Sequence, residues 1–197
     1  MRAWRRPLMP NADAPGLTPS DEQLACRARA GDRMAFNRLM QRHAPRLVNF
    51  LERQLGSRSD ADDVAQNTFI AIHRNLHRFD ETRAFVTWMF VIARNKAKDH
   101  HRRRAVRNWI GLEEPSVPAP VDPTTPERIV SDRDELARVN TAIQAMPEGL
   151  RTPLLLSVID GMSHAEIGSV MGLSEKAAEV RVYRARRRLR DSFPPEG

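Results

Sequence analysis

The most informative segment of the chain is residues 79–107, FDETRAFVTWMFVIARNKAKDHHRRRAVR, where a short loop leads into one long predicted helix. Apolar residues recur along this helix at helical spacing and predict a face that packs into a core: Phe85, Trp88, Met89, Ile92 and Ala93. Arg94, Lys98 and Arg102 recur every fourth residue on another face, with Asn95 beside them. One packed aromatic face and one open basic face suit a polyanion whose bases can be read. The segment therefore predicts contact with nucleic acid.

Length and composition narrow the class of protein. The 197 residues are enough for one domain or two small ones, and the formal net charge of +7 favours acidic partners. Arginine supplies much of this charge and is the residue best suited to phosphates and base edges. The single cysteine, Cys26, can form neither an internal disulfide nor a cysteine zinc site, which fits a reducing cytosol. We expect a cytoplasmic protein, because no apolar run approaches the ~20 residues of a membrane span and no signal peptide is recognisable.

Prolines divide the chain into two predicted helical blocks. The segment GLEEPSVPAPVDPTTPE, residues 111–127, contains five prolines, each of which removes a backbone donor and disfavours helix at the preceding residue. The predicted organisation is a disordered tail at 1–20, a helical domain at 21–108, an extended linker at 109–128, a second helical domain at 129–193, and a tail at 194–197. No strand pattern competes in either block. The predicted fold class is all-α, with two small helical domains.

The first block contains two further features. Pro45 lies inside a helical pattern and is expected to kink or split that helix. After Gly56, a second helix begins with Asp60, Asp62 and Asp63, where carboxylates favour the positive end of the helix dipole. Such a cluster can also hold a hard divalent cation. Because the helix terminus alone explains it, we interpret it as an exposed acidic patch that docks a basic partner, and we expect no metal and no cofactor.

The second block has the spacing of a helix-turn-helix. Ser163 and Glu166 form a predicted capping box, Gly172 supplies a left-handed turn, and the small Gly168 permits close approach of the helices. The last helix has a predicted buried face and an exposed face of arginines that suits the major groove of DNA. The alternative is a basic surface helix on an ordinary bundle.

Aromatic and histidine residues near the long helix allow two more interpretations. Phe85 and Trp88 are assigned to the core, whereas Phe79 lies beside charged residues and is the candidate for stacking on an unpaired base. His100 and His101 could suggest zinc, but adjacent helical residues diverge by about 100° and do not face one ion. They are assigned to the basic cluster.

Three motifs in register resemble one known family: DADDVAQNTFIAIHRNL at 60–76, FVTWMFVIARNKAKDHHRRR at 85–104 and RVYRARRRLR at 181–190. Over residues 21–193 the chain closely resembles a bacterial RNA polymerase sigma factor of the small extracytoplasmic-function (ECF) group. The resemblance implies that the first domain binds the polymerase core and opens the promoter, and that the second domain reads the upstream box. It also implies that the chain is not an enzyme.

The same resemblance implies three sets of contact residues. The polymerase core, through the clamp helices of its largest subunit, is expected to contact the acidic helix at Asp60, Asp62, Asp63, Gln66 and Asn67. The unpaired non-template strand of the −10 box is expected to contact Phe79, Asn95, Lys98, Arg102, Arg103 and Arg104. The −35 box is expected to contact Ser174, Lys176, Glu179, Arg181, Arg184 and Arg188.

The resemblance also implies partners, and two alternative functions remain open. Expected partners are promoter DNA, the flap of the second polymerase subunit, and an anti-sigma factor that holds the chain at the inner membrane without membrane insertion of the chain itself. One rival is a helix-turn-helix regulator that binds duplex DNA alone, although it leaves the block around Trp88 unexplained. The other is a metal-dependent nuclease that uses Asp60, Asp62 and Asp63.

Overall fold

The computed structural model describes residues 18–109 and 127–193. Within these ranges the chain is helical, with a short 3₁₀ turn at Leu76–Arg78, and the all-α prediction is confirmed. The α-helices are α1 Asp21–Arg29, α2 Arg33–Leu55, α3 Arg58–Asn75, α4 Phe85–Trp109, α5 Glu127–Gln144, α6 Glu148–Val158, α7 His164–Met171 and α8 Glu175–Asp191. The predicted N-terminal tail, linker and C-terminal tail lie wholly or mostly outside the described residues.

Side chains that satisfy free backbone donors begin several of these helices. Ser20 and Gln23 form a capping box on α1, Asp32 accepts from the first turn of α2, and the Ser57 hydroxyl accepts from the first turn of α3. Gly56 ends α2 at φ +78°, a left-handed conformation that glycine adopts at no steric cost. The sequence boundary after Gly56 is therefore a true helix boundary.

α2 runs without interruption through Pro45, so the predicted split at that residue does not occur. A proline inside a helix costs about 3 kcal/mol. The helix also buries Leu47, Phe50 and Leu51 completely, and full burial of each such side chain is worth about 1.5–3 kcal/mol. Burial of the apolar face therefore outweighs the lost backbone hydrogen bond.

Both helical blocks contribute buried apolar side chains to the core. In α1–α4, Phe50 and Phe90 meet edge to face with ring centroids 5.1 Å apart, and Leu24, Ile72 and Met89 are fully buried. In α5–α8 the buried side chains include Ile143, Leu155, Leu156, Ile167, Val182 and Ala185. Leu136 of α5 and Val158 of α6 are large apolar side chains that are exposed.

The two blocks contact each other through α4 and α7, and through α2 and α6. Polar side chains take part in these contacts. Arg46 Nε donates to Asp160 Oδ1 at 2.8 Å, and Thr152 Oγ1 donates to Gln54 Oε1 at 3.4 Å. The Asp160 side chain is completely buried, and burial raises its pKa.

Candidate nucleic-acid interface

α4 presents an open polar face on the side away from its packed aromatics. Phe85, Met89 and Phe90 are almost fully buried, whereas Asn95, Lys98 and five further positions up to Arg107 are exposed. The long side chains of the basic residues keep their charges in water, where they can attract phosphates. The predicted division of this helix into a core face and an open face is present in the structure.

A contact from α1 fixes the start of α4. Glu22 Oε1 accepts from the backbone N–H of Phe85 at 3.1 Å, so a carboxylate lies at the positive end of the helix. The loop before α4 is exposed from Asp80 to Ala84, and Asp80 Oδ1 accepts from Thr82 Oγ1 at 2.7 Å. This hydrogen bond is the main cause of the lowered pKa of Asp80. The loop is therefore open to solvent and is braced by an internal hydrogen bond.

The prediction that Phe79 is available to stack on a base is wrong for this structure. Its ring is 4% exposed and packs against Phe85 and Trp88, with ring centroids 5.7 and 5.2 Å away. The charged neighbours that favoured exposure belong to the following loop, while the 3₁₀ turn points Phe79 into the core edge. Phe79 thus supports the loop from beneath and offers no free ring face.

Arg94 also departs from the predicted basic face. It is half-buried and lies 3.4 Å from Glu148 Oε1 of α6, an ion-pair distance without hydrogen-bond geometry. A four-residue step advances about 40° around a helix, so Arg94 and Arg102 are about 80° apart. That difference turns Arg94 toward the second block and leaves Lys98 and Arg102 in solvent.

The arginine cluster at 102–104 is divided. Arg102 and Arg103 are exposed, and Arg102 Nη2 donates to Asp99 Oδ1 at 3.2 Å. Arg104 is half-buried and its Nη1 lies 3.4 Å from Asp60 Oδ2 at the start of α3. Arg102 and Arg103 are therefore free to approach phosphates, whereas Arg104 also ties α4 to α3.

The helix-turn-helix geometry is present in the second block. Ser163 and Glu166 form the expected capping box, and Gly172 ends α7 at φ +67°. A Cβ on Gly168 would lie 2.8 Å from the carbonyl oxygen of Leu173, so only glycine fits where the turn passes α7. Ser174 caps α8 by accepting from Ala177 N at 3.2 Å. The capping box, the turn glycine and the close approach at Gly168 match the predictions from local sequence.

α8 carries the side chains predicted for duplex contact. Ala178, Val182 and Ala185 are buried, and Lys176, Arg184 and Arg188 are exposed. Arg181 is half-buried and its guanidinium reaches back over Gly149 at the start of α6. Arg184 and Arg188 thus form the open basic edge of the helix.

Lys176 and Glu179 form a pair in the first turns of α8. Lys176 Nζ donates to Glu179 Oε2 at 2.8 Å, and this hydrogen bond is the main cause of the lowered pKa of Glu179. Glu179 therefore stays ionised, and its repulsion of a DNA phosphate is partly cancelled by Lys176. The carboxylate remains able to accept from a cytosine amino group.

The acidic helix α3 has an exposed edge and a packed face. Asp62, Asp63, Gln66 and Asn67 are exposed, and Val64, Ala65 and Phe69 are buried. Asp60 is half-buried and faces His100 and Arg104 of α4, with each contact at 3.4 Å. The prediction that Asp60 belongs to the open acidic patch is thus wrong for this structure, because tertiary contact with α4 turns it inward.

An apolar groove beside this acidic edge has no counterpart in the sequence-based site. Phe36, Met40, Phe69 and Ile70 line it between α2 and α3, and Ile70 is 43% exposed. The sequence could have indicated this groove, because the apolar residue Ile70 follows the core residue Phe69 but lies off the packed face of α3. Acidic and apolar surfaces are therefore adjacent on one side of the first block.

Two negative findings concern the described residues alone. Among the side chains that the structure describes, residues 18–109 and 136–193, there is no group of three or more His, Cys, Asp or Glu placed to hold a metal ion. In those same ranges, every helix is too short or too polar to cross a membrane.

Comparison with known proteins places both blocks in one family. The sigma-70 region 2 model matches residues 39–107, and the sigma-70 region 4 model matches residues 136–189. RNA polymerase sigma factor NccH of Alcaligenes xylosoxydans xylosoxydans is 39% identical over 173 residues, which cover 86% of this chain and 92% of that protein. ECF RNA polymerase sigma factor SigE of Mycolicibacterium smegmatis is 30% identical over 184 residues, covering 91% of this chain and 71% of that protein.

Solved structures agree with this fold. The structure of CnrH in complex with the cytosolic domain of CnrY matches with a TM-score of 0.68 at 33% identity, covering 88% of this chain and 96% of that chain. The sigma factor RpoE in complex with the anti-sigma factor NepR from Bartonella quintana matches with a TM-score of 0.65, covering 82% of this chain and 98% of that chain. Its identity of 21% shows the fold alone.

The chain belongs to the sigma-70 family of bacterial RNA polymerase sigma factors. Within that family it is an ECF sigma factor, a transcription initiation factor. Neither rival, the stand-alone regulator or the nuclease, accounts for a match to both regions.

Proposed function

We propose that this sigma factor docks on RNA polymerase core through α3, captures the non-template strand of the −10 box on α4, and reads the −35 box with α8. The observation that carries the proposal is the open face of α4, where Asn95 and Lys98 are exposed on a helix whose other side is packed with buried aromatics. An amide and cations on a rigid helix can hold unpaired bases and their phosphates.

Core docking is assigned to the exposed acidic edge of α3 and the groove beside it. Asp62, Asp63, Gln66 and Asn67 supply charge and hydrogen bonds, and Ile70 supplies apolar surface. A charged rim around a small apolar centre is the usual composition of a protein interface. The clamp helices of the largest core subunit are the proposed partner of this surface, with the flap of the second subunit as partner of the second block.

Promoter opening is assigned to α4 and to the exposed loop before it. Extruding a base from duplex DNA costs only a few kcal/mol, which a positive surface and a pocket can offset. Lys98, Arg102 and Arg103 supply the positive surface, and Asn95 can hydrogen-bond a base edge. The sigma factor then captures a transient opening, no ATP is consumed, and the chain has no catalytic role of its own.

Recognition of the −35 box is assigned to the amino-terminal half of α8 and its basic edge. Ser174, Lys176 and Glu179 lie at the helix start, where a recognition helix contacts base edges. Arg184 and Arg188 are exposed further along, where they can reach guanine or phosphates. Arg181 is half-buried, with its guanidinium beside Gly149, and is assigned to the edge of this surface.

An anti-sigma factor is proposed as the negative regulator. CnrH, whose structure matches this fold at 33% identity, is bound to the cytosolic domain of CnrY. We propose that a similar partner holds this chain inactive in the cytoplasm, at the inner membrane where that partner is membrane-bound.

Run-off transcription tests the proposed function. Core polymerase is mixed with a pool of genomic fragments, with and without the full-length chain, and the 5′ ends of the transcripts are mapped. Transcripts that start at fixed positions only when the chain is present support the proposal. The absence of any chain-dependent start would refute it, and specific duplex binding without transcripts would favour the stand-alone regulator.

A further inference from the structure

Two large apolar side chains at the carboxyl end of α4 lie outside the proposed core, −10 and −35 contact surfaces. Val106 is 51% exposed and Trp109 is 88% exposed, the largest fraction for any large apolar side chain among the described residues. Trp109 therefore contributes nothing to the core. Tryptophan is highly buried on average, and an indole left in water this completely offers a large apolar ring face to a partner.

Both side chains continue the open face of α4. With about 100° of rotation per residue, one arc of about 80° contains five exposed positions: Asn95, Lys98, Arg102, Val106 and Trp109. At about 1.5 Å per residue, this stripe is about 21 Å long. The side chains assigned to the unpaired strand and the exposed indole thus lie along one edge of one helix.

The chemistry of the stripe fits single-stranded DNA. Cations that follow a phosphate backbone, combined with an aromatic ring on which a base can stack, form the usual platform for unpaired strands. Lys98 and Arg102 provide the cations. Arg102 Nη2 also donates to Asp99 Oδ1 at 3.2 Å. Only the ring was missing from the predicted surface, since Phe79 is buried.

We propose that Trp109 stacks on an unpaired base of the promoter at the far end of this stripe, with Val106 packed beside it. The inference rests on the proposed role of α4 in strand capture. It adds a stacking residue beyond the arginine cluster and replaces Phe79 as the aromatic that contacts DNA.

Abasic substitution tests this contact at the level of a single base. The holoenzyme is assembled from polymerase core and one of four full-length chains: wild type, Trp109→Ala, Trp109→Phe or Leu136→Ala. Leu136→Ala is the control, because it removes another exposed apolar side chain, from α5. Each is bound to a promoter used by the wild type, with the −10 region pre-melted and each non-template base removed in turn. We expect Trp109→Ala to weaken binding roughly 5- to 100-fold, with Trp109→Phe close to wild type and Leu136→Ala unchanged.

Removal of one particular base should weaken DNA binding by the wild-type holoenzyme by the same factor as Trp109→Ala does. Removal of that base should not weaken binding by the Trp109→Ala holoenzyme any further. The inference is overturned if Trp109→Ala binds every template like the wild type, if every abasic site affects both proteins equally, or if the variant loses affinity for core alone. A wild-type holoenzyme that uses no promoter would instead refute the proposed function, so the two failures are distinguishable.

Discussion

At the scale of single residues, Asn95 is the most direct test of base capture. It is exposed on the open face of α4, and its side chain makes no contact that the fold requires. We expect Asn95→Ala to slow promoter opening about 5- to 150-fold, because a hydrogen-bonded base contact is worth about 1–3 kcal/mol. Binding to a closed −35 duplex should be unchanged. Opening can be followed by the fluorescence of 2-aminopurine in the −10 box, and equal losses in both assays would contradict the assignment.

Arg184 is the corresponding residue for duplex recognition. It is exposed on α8, clear of the buried face formed by Val182 and Ala185. We expect Arg184→Ala to weaken −35 binding by about 1–3 kcal/mol if the guanidinium is bidentate to guanine, and to relax specificity at one base pair.

The control is Arg38→Ala, which removes an equal charge from an exposed position on α2. Fluorescence anisotropy on −35 duplexes at several salt concentrations measures both variants. An Arg184→Ala variant that tracks Arg38→Ala at every salt concentration would remove Arg184 from the interface.

At the scale of elements, Gly168 shows how the helix-turn-helix depends on one missing side chain. A methyl group there would lie 2.8 Å from the carbonyl oxygen of Leu173, and backbone cannot move aside cheaply. We expect Gly168→Ala to destabilise the second block by about 1–3 kcal/mol, as overpacking usually does.

Gly149→Ala is the matched substitution on α6. A Cβ at that position would meet only a guanidinium nitrogen of Arg181, at an ordinary distance of 3.5 Å. Because alanine favours helix over glycine, we expect a gain of about 0.5–1 kcal/mol. Urea unfolding measures both variants, and equal stability of the two would contradict the close approach in the turn.

Local features of the elements could be predicted from sequence, whereas tertiary ones could not. The Ser163 capping box and the left-handed Gly172 depend on residues three to five positions apart, and both are present as predicted. The burial of Phe79 and the inward turn of Asp60 depend on partners in other helices. Glu22 caps α4 from a position far earlier in the chain, which no spacing rule reveals.

At the scale of the whole molecule, the two blocks must separate to read both boxes. The −35 and −10 boxes lie about 25 base pairs apart, which is about 85 Å of duplex at about 3.4 Å per step. In the structure α7 instead packs against α4, and Arg46 bonds Asp160 at 2.8 Å. Domains of one chain are commonly able to move relative to each other. The packed arrangement is therefore expected to be a closed state.

The Arg46–Asp160 pair should control this closed state. Removing one partner of a buried ion pair leaves an uncompensated charge that costs about 3–5 kcal/mol. We therefore expect Arg46→Ala to open the molecule and raise its radius of gyration in X-ray scattering, and Arg46→Ala with Asp160→Asn to return toward the wild type.

The pH dependence has a defined sign. Burial raises the pKa of Asp160 in the closed state, so protonation removes the charge that burial disfavours. In the Arg46→Ala variant, the closed state should therefore be favoured at a pH below the pKa that Asp160 has in the open state. This preference should be lost as the pH rises through the higher pKa that Asp160 has in the closed state. The same radius of gyration for wild type and variant across this pH range would show that the Arg46–Asp160 pair does not hold the closed state.

The central claim is that this sigma factor lets polymerase core hold a promoter open. The most direct measurement is permanganate reactivity of non-template thymines near the −10 box, with core and full-length chain and without nucleoside triphosphates. The account predicts reactive thymines that require both proteins and diminish with Asn95→Ala. Thymines that stay unreactive at a promoter the holoenzyme demonstrably binds would contradict it.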